Sequence, residues 1–209
     1  MDAIDPRLLW ILIAYFVAAI PVGLVIGLAK GIDLRVIGSG NIGATNAVRA
    51  LGRPLGLIVF VLDVAKAALP VSLCIEPLAA VEQPEWSVAA VGMAAVLGHV
   101  FPIYLGFRGG KGVACALGIL GVIQPVAAAV ALVLYIQTLL LTRVSAVGSL
   151  TALSAGTAVV LVTDTPWPHR ALILTMAALI AWRHRTNVRQ VVADAKAAKA
   201  ARKQAARED

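Results

Sequence analysis

Between two long apolar runs, residues 98–113 read Gly98-His99-Val100-Phe101-Pro102, then Ile103 to Phe107, then Arg108-Gly109-Gly110-Lys111-Gly112-Val113. Glycines let a backbone approach a ligand closely. Successive N–H groups in such a turn make an anion-binding concavity. Arg108 and Lys111 add full charges, so phosphate is the natural guest. A basic turn at a membrane edge would carry the same two cations. A second polar stretch reads Gly38-Ser39-Gly40-Asn41-Ile42-Gly43-Ala44-Thr45-Asn46-Ala47-Val48-Arg49. Its hydroxyls, amides, glycines and single arginine suit a preorganised pocket for a polyoxygenated ligand. A third is Arg183-His184-Arg185-Thr186-Asn187, in which His184 and Asn187 share a face if helical. Arg143, Ser145 and Ser149 form a fourth. Asp63 and Lys66, also three apart, are an ionisable pair inside an apolar run. Such a pair either locks its span to neighbours or serves a site. The sequence shows no metal-ligand cluster. The Gly-Gly-Lys-Gly element lacks the glycine spacing and the Ser/Thr of a nucleotide P-loop. Neither a metal nor a cofactor is expected.

The elements that must position these residues are membrane spans. Of the 209 residues 60% are hydrophobic and 14% charged, with mean hydropathy +0.90 and net charge +7. A soluble domain averages about 45–50% and 25%. The acidic start, Met1-Asp2-Ala3-Ile4-Asp5, does not suit a signal peptide, so the first apolar run is read as a retained span. Spans are predicted at 8–29, 54–75, 87–105, 113–123, 125–141, 150–162 and 170–182. The stretch from Val113 to Thr142 would make about 45 Å of helix, more than a bilayer needs, and Gln124-Pro125 divides it. Residues 30–53 read as a long polar connection, 143–149 as a short one, and 106–112 as the glycine loop. The buried-looking Cys74 and Cys115 read as small packing residues.

Seven spans put those three connections and the tail on one side. That side then holds fifteen of the eighteen Lys and Arg. The positive-inside rule places it in the cytoplasm and the N-terminus outside. The expected fold is thus an all-α integral membrane protein of seven transmembrane helices with a cytoplasmic C-terminus. Residues 1–190 form the membrane domain and 191–209 a basic cytoplasmic tail, whose cations can meet anionic headgroups at roughly 1 kcal/mol each.

These residues resemble the bacterial acyl-phosphate:glycerol-3-phosphate acyltransferase family (PlsY type) over nearly the whole chain. One motif appears as Ser39 to Asn46 with Arg49. Another appears as Gly98 to Pro102 with Phe107 to Val113, Arg108 standing where lysine is frequent. Arg143-Val144-Ser145 with Ser149 and His184-x-x-Asn187 also match. So does Asp63-x-x-Lys66, with Ala67 where glycine is common. The resemblance implies transfer of a fatty acyl group from acyl phosphate to the 1-hydroxyl of sn-glycerol 3-phosphate. The products would be lysophosphatidic acid and phosphate, in phospholipid synthesis at the bacterial cytoplasmic (inner) membrane. It places Ser39, Arg49, Lys111, His184 and Asn187 at the catalytic centre. Gly40, Asn41, Thr45, Asn46, His99, Arg108, Gly109, Gly110, Gly112, Arg143, Ser145 and Ser149 are expected to bind substrate. Glycerol phosphate would sit on Arg49, Lys111, His184 and Asn187. The glycines of 109–112, Ser39 and Thr45 would cradle the acyl phosphate. The proton acceptor stays open among His99, His184, Asp63 and a phosphate oxygen of the donor, the last preferred. Expected partners are acyl phosphate, sn-glycerol 3-phosphate and membrane lipids, with no nucleic acid and no second copy of the chain. A transporter for a phosphorylated metabolite is the alternative, although such sites lie near the bilayer midplane. A phosphotransferase would need acidic metal ligands that these loops lack.

Overall fold

Proline decides where the first apolar run breaks. Pro21 has no N–H to continue a helix, and it drives the residue before it out of the helical region. In a computed structural model of the chain, which describes residues 4–208, that run is two helices, α1 (Pro6–Ala19) and α2 (Val22–Ala29). Ile20 between them is extended. Asp5 caps α1 by accepting from the Arg7 N–H at 2.8 Å. Asp2 lies outside the described residues, as do the side chains of Lys199, Arg202, Lys203 and Arg207 in the tail.

The polar connection contains an element that the sequence reading did not foresee. Ala44–Leu51 is a short helix, α3. It packs on α4 (Arg53–Leu78), where the absence of a side chain on Gly56 lets the backbone of Val48 come close. Next comes α5 (Pro84–Val100). It stops at Phe101-Pro102 and yields to a 3₁₀ turn, Ile103–Leu105, so the third apolar run is not continuous helix. The split at Gln124-Pro125 separates α6 (Val113–Ile123) from α7 (Pro125–Thr142). Arg143, with φ +59°, turns the chain into α8 (Ser145–Val162). The residues read as connection through Ser149 are therefore the first turns of a helix. α9 (Trp167–Arg183) and α10 (Arg185–Glu208) complete the chain.

α1 packs against α5 and α4, α6 against α4 and α7, and α8 against α7 and α9. The core between them is small-residue rich: Ala14, Ala18, Ala67, Cys74, Ala95 and Cys115 with Ile119, Met176 and Ile180. Large apolar residues point outward instead, among them Leu57, Leu69 and Leu73 of α4 and Leu140 and Leu141 of α7. An outward girdle of leucines is what lipid, not water, requires. Five segments are long and apolar enough to cross a membrane: Pro6–Ala29, Arg53–Leu78, Pro84–Leu105, Pro125–Thr142 and Ser145–Val162. Val113–Ile123 is an apolar helix of 11 residues, and Trp167–Arg183 has 17.

Candidate active site

Helix ends on one side of the bundle enclose a cavity of about 660 Å³. Ser39, Arg49, Lys111, His184 and Asn187 all line it. So do Asn41, Thr45, Asn46, His99, Gly112, Arg143, Ser145 and Ser149. Phe60, Leu117, Leu120, Ala131, Leu132 and Leu153 form an apolar wall beyond the polar rim. Gly40, Arg108, Gly109 and Gly110 are not among the lining residues.

Gly40 turns back instead onto its own loop, its N–H donating to Ile37 O at 3.0 Å. For residues 108–110 the reason lies at the end of α5. Pro102 terminates that helix and leaves its last carbonyls without intrahelical donors. The Gly109 N–H donates to Val100 O and the Gly110 N–H to His99 O, both at 3.1 Å. Those two N–H groups therefore cap a helix; they are not free for a phosphate. A Cβ on Gly109 would collide with His99 O, and one on Gly110 with the His99 imidazole. Arg108 is exposed on the outer side of the loop. Lys111 is the loop's contribution to the cavity, and its Nζ donates to Asn187 Oδ1 at 2.6 Å.

Asn46 is also placed differently from expectation. It is 2% exposed and its amide is saturated within the protein. Nδ2 donates to Leu34 O and Ile37 O at 3.0 Å each, and Oδ1 accepts from the Ser39 N–H at 3.1 Å. It holds the Ser39 loop onto α3 and has no amide hydrogen left for substrate. Asn41 Oδ1 similarly accepts from the Gly43 N–H at 2.8 Å and shapes the turn into α3. Thr45 and Ser145 hydroxyls meet at 2.9 Å, and Ser145 meets Tyr135 at 3.0 Å, linking α3, α8 and α7 across the rim.

Three helix N-termini open on this cavity, which sequence inspection missed because α3 and the true start of α8 were not seen. They are Gly43-Ala44-Thr45 of α3, Gly112-Val113-Ala114 of α6 and Val144-Ser145-Ala146 of α8. None has a side-chain cap. Each N-terminus carries roughly half a positive charge and free N–H groups. With Arg49, Lys111 and Arg143 they make a strongly anion-seeking rim. The acids in the lining are engaged elsewhere: Asp194 accepts from Gln190 Nε2 at 2.8 Å, and Asp63 Oδ1 lies 2.8 Å from Lys66 Nζ. Lys66 also donates to Ile20 O at 2.8 Å, the carbonyl at the Pro21 break. His99 Nδ1 is 3.8 Å from Asp63.

Burial pushes the Lys111 ammonium below the usual lysine range, assisted by the nearby Arg183 and Arg49 charges. Burial likewise lowers His184, and Lys111 and Arg183 add to that against the opposing bond to Ile180 O. His184 Nδ1 lies 2.8 Å from Ile180 O, which fixes the donor proton on Nδ1 and leaves Nε2 as an acceptor in the neutral ring. Among the described residues, no three His, Cys, Asp or Glu side chains group as metal ligands would.

A family model described as glycerol-3-phosphate acyltransferase matches residues 8–194. The glycerol-3-phosphate acyltransferase of Anaeromyxobacter sp. (strain K) is 47% identical over 180 residues, covering 85% of this chain and 90% of the relative. That of Aquifex aeolicus (strain VF5) is 36% identical, covering 87% and 93%. Among solved structures, the crystal structure of PlsY, an integral membrane glycerol 3-phosphate acyltransferase, superposes in its glycerol 3-phosphate form with a TM-score of 0.86 at 34% identity. It covers 91% of this chain and 94% of the other. The lysophosphatidic acid form of PlsY gives 0.84 at 33%.

Proposed function

We infer the reaction from one premise: the chain belongs to the PlsY-type glycerol-3-phosphate acyltransferase family, and is an integral membrane acyltransferase. The acyl donor is acyl phosphate, and the acceptor is the 1-hydroxyl of sn-glycerol 3-phosphate. The hydroxyl oxygen bonds to the acyl carbonyl carbon, the bond from that carbon to the phosphoryl oxygen breaks, and the hydroxyl proton ends on the released phosphate. The products are lysophosphatidic acid and inorganic phosphate.

One observation carries this reading. Ser39, Arg49, Lys111, His184 and Asn187 come from three distant segments and line one cavity that has an apolar wall. Two phosphoryl groups need two sets of donors, and an acyl chain needs the apolar wall. Arg49, Lys111 and Asn187 hold the glycerol phosphate, with His184 Nε2 accepting from a glycerol hydroxyl. Ser39, Thr45 and the open N-termini of α6 and α8 receive the acyl phosphate and its developing oxyanion. Phosphate is a good leaving group, so positioning lowers much of the barrier. A donor phosphate oxygen takes the proton, since Asp63 is already paired with Lys66.

In the topology that accompanies this reading, seven passes cross the cytoplasmic membrane: α1 with α2, then α4, α5, α6, α7, α8 and α9. The N-terminus is outside, and the cavity rim with its cations faces the cytoplasm. Residues 1–190 are the working domain, 191–209 a basic tail, and the unit is a monomer. The test is phosphate release by the purified protein in detergent or a lipid mesophase. Release only when acyl phosphate and glycerol 3-phosphate are both present supports the reading. Release that ignores the acceptor, or vesicle uptake of glycerol 3-phosphate without turnover, refutes it.

A further inference from the structure

Lys111 can serve the cavity only if the loop before it is held still. The N–H side of that loop is fastened to α5 through Gly109 and Gly110. Its carbonyl side is fastened to α9. Arg183 Nη2 donates to Gly109 O at 3.0 Å, and Nε donates to Gly110 O at 3.3 Å. The guanidinium is a planar fork with fixed donor directions, which suits two successive carbonyls as a single lysine ammonium does not. Arg183 itself is absent from the cavity lining.

Two consequences follow from the position of this fork. Carbonyl oxygens that turned toward the cavity would repel an anion there, and Arg183 keeps both facing α9. The residue after Arg183 is His184, and Asn187, one turn further on, accepts from Lys111. One side chain thus fixes the spacing between the Lys111 loop and the segment carrying His184 and Asn187. The charged and polar groups around Lys111 are Arg49 from α3, Arg183 and His184 at the end of α9, and Asn187 from α10.

Resting on the reading above, we propose that Arg183 is a positioning residue for phosphate binding. It aligns Lys111 with Asn187 by clamping the carbonyls of Gly109 and Gly110, and it touches no substrate itself. The test is calorimetric titration of the purified full chain with glycerol 3-phosphate across pH, which needs no turnover. Arg183→Gln is expected to weaken binding at least tenfold. It should also move the alkaline fall-off of binding to higher pH, because a cation beside Lys111 has gone. Arg183→Lys keeps the charge but loses the fork. It is expected to leave the fall-off in place and to weaken binding severalfold.

Unchanged affinity in Arg183→Gln overturns the proposal, and so does weaker binding with an unmoved fall-off, which is what general loosening would give. Should the Gln variant not fold, wild-type affinity in Arg183→Lys overturns it. A wild-type chain that binds glycerol 3-phosphate but transfers no acyl group from acyl phosphate refutes the donor assignment alone and leaves the clamp to the binding data.

Discussion

Replacing Lys66 by methionine isolates the one buried ion pair of α4. Lys66 is 8% and Asp63 3% exposed. Lys66 Nζ reaches both Asp63 Oδ1 and Ile20 O at 2.8 Å. Lys66→Met leaves a carboxylate without its cation at membrane depth, and breaking one side of a buried pair costs about 3–5 kcal/mol. For a chain of this size about 2–4 °C accompanies each kcal/mol, so Tm should fall by about 6–20 °C. Cys74 and Cys115 are free and buried, so a thiol-reactive dye reports unfolding without added labels. Removing both charges, as Asp63→Leu with Lys66→Met, abolishes the uncompensated carboxylate. Tm should then recover most of the loss, short by the charged hydrogen bond to Ile20 O, about 1.5–3 kcal/mol. The same double variant should keep kcat within about tenfold of the parent, because Asp63 has no catalytic duty in this scheme. The reasoning fails if stability returns but kcat stays roughly 10²–10⁴-fold down with both substrate affinities intact, the signature of a lost general base.

Lys111 has a depressed pKa, so its charge, and kcat/KM with it, should be full at neutral pH and lost as pH rises through a value below the usual lysine range. Lys111→Arg does not titrate there, so the alkaline limb of its kcat/KM profile should vanish. A Cβ on Gly56 would lie 2.7 Å from both N and Cα of Val48, so Gly56→Ala must displace the backbone of α3. It should raise KM for glycerol 3-phosphate through Arg49 and destabilise by about 1–3 kcal/mol in thermal unfolding. Ala131→Leu narrows the apolar wall between α6 and α7 and should shift donor preference toward shorter acyl chains in a competition between acyl phosphates. Val144 has the extended backbone of a helix cap (φ −114°, ψ 101°), so Val144→Asp should cap α8 with its own carboxylate. Stability should rise by about 1 kcal/mol while acyl phosphate binding weakens, two changes of opposite sign read by thermal unfolding and by KM.

The sequence carried the long elements well. Apolar runs and prolines marked α1, α4, α5 and α7, and the break at Gln124-Pro125 falls between helices as expected. α3 is easily overlooked because it is only eight residues long and follows a Gly/Ser/Asn-rich stretch, although Ala44, Ala47, Val48 and Leu51 do fall at the spacing of one helical face, the face that packs beside Val59 and Gly56. Asn46 looked like a ligand-binding amide. Nothing in a linear string says that Leu34 O, Ile37 O and the Ser39 N–H would converge on it. For the same reason the string alone suggests a phosphate cradle at Gly109 and Gly110. Glycine reports that something comes close, and here that neighbour is the end of α5. Nothing in the string singles out Arg183, since a donor to carbonyls 73 and 74 residues away leaves no local signature.

The field in the cavity follows from how helix ends are treated. Wherever one helix ends beside the start of another, the negative C-terminus should cancel the positive N-terminus. It does not cancel here, because the C-terminal carbonyls are taken and the N–H groups are left. Gly27 O and Leu28 O of α2 accept from the turn at Lys30, Gly31 and Ile32. His99 O and Val100 O of α5 accept from Gly110 and Gly109, and Leu139 O of α7 accepts from the Arg143 N–H. The helices that follow these ends, α3, α6 and α8, start without a side-chain cap and without a proline in the first turn. By contrast α4, α5, α7 and α9 each carry a proline at one of the first two positions, which removes a donor where none is needed. The three helix starts that line the cavity thus present uncapped N–H groups to it, and a phosphoryl group is the guest that satisfies several of them at once.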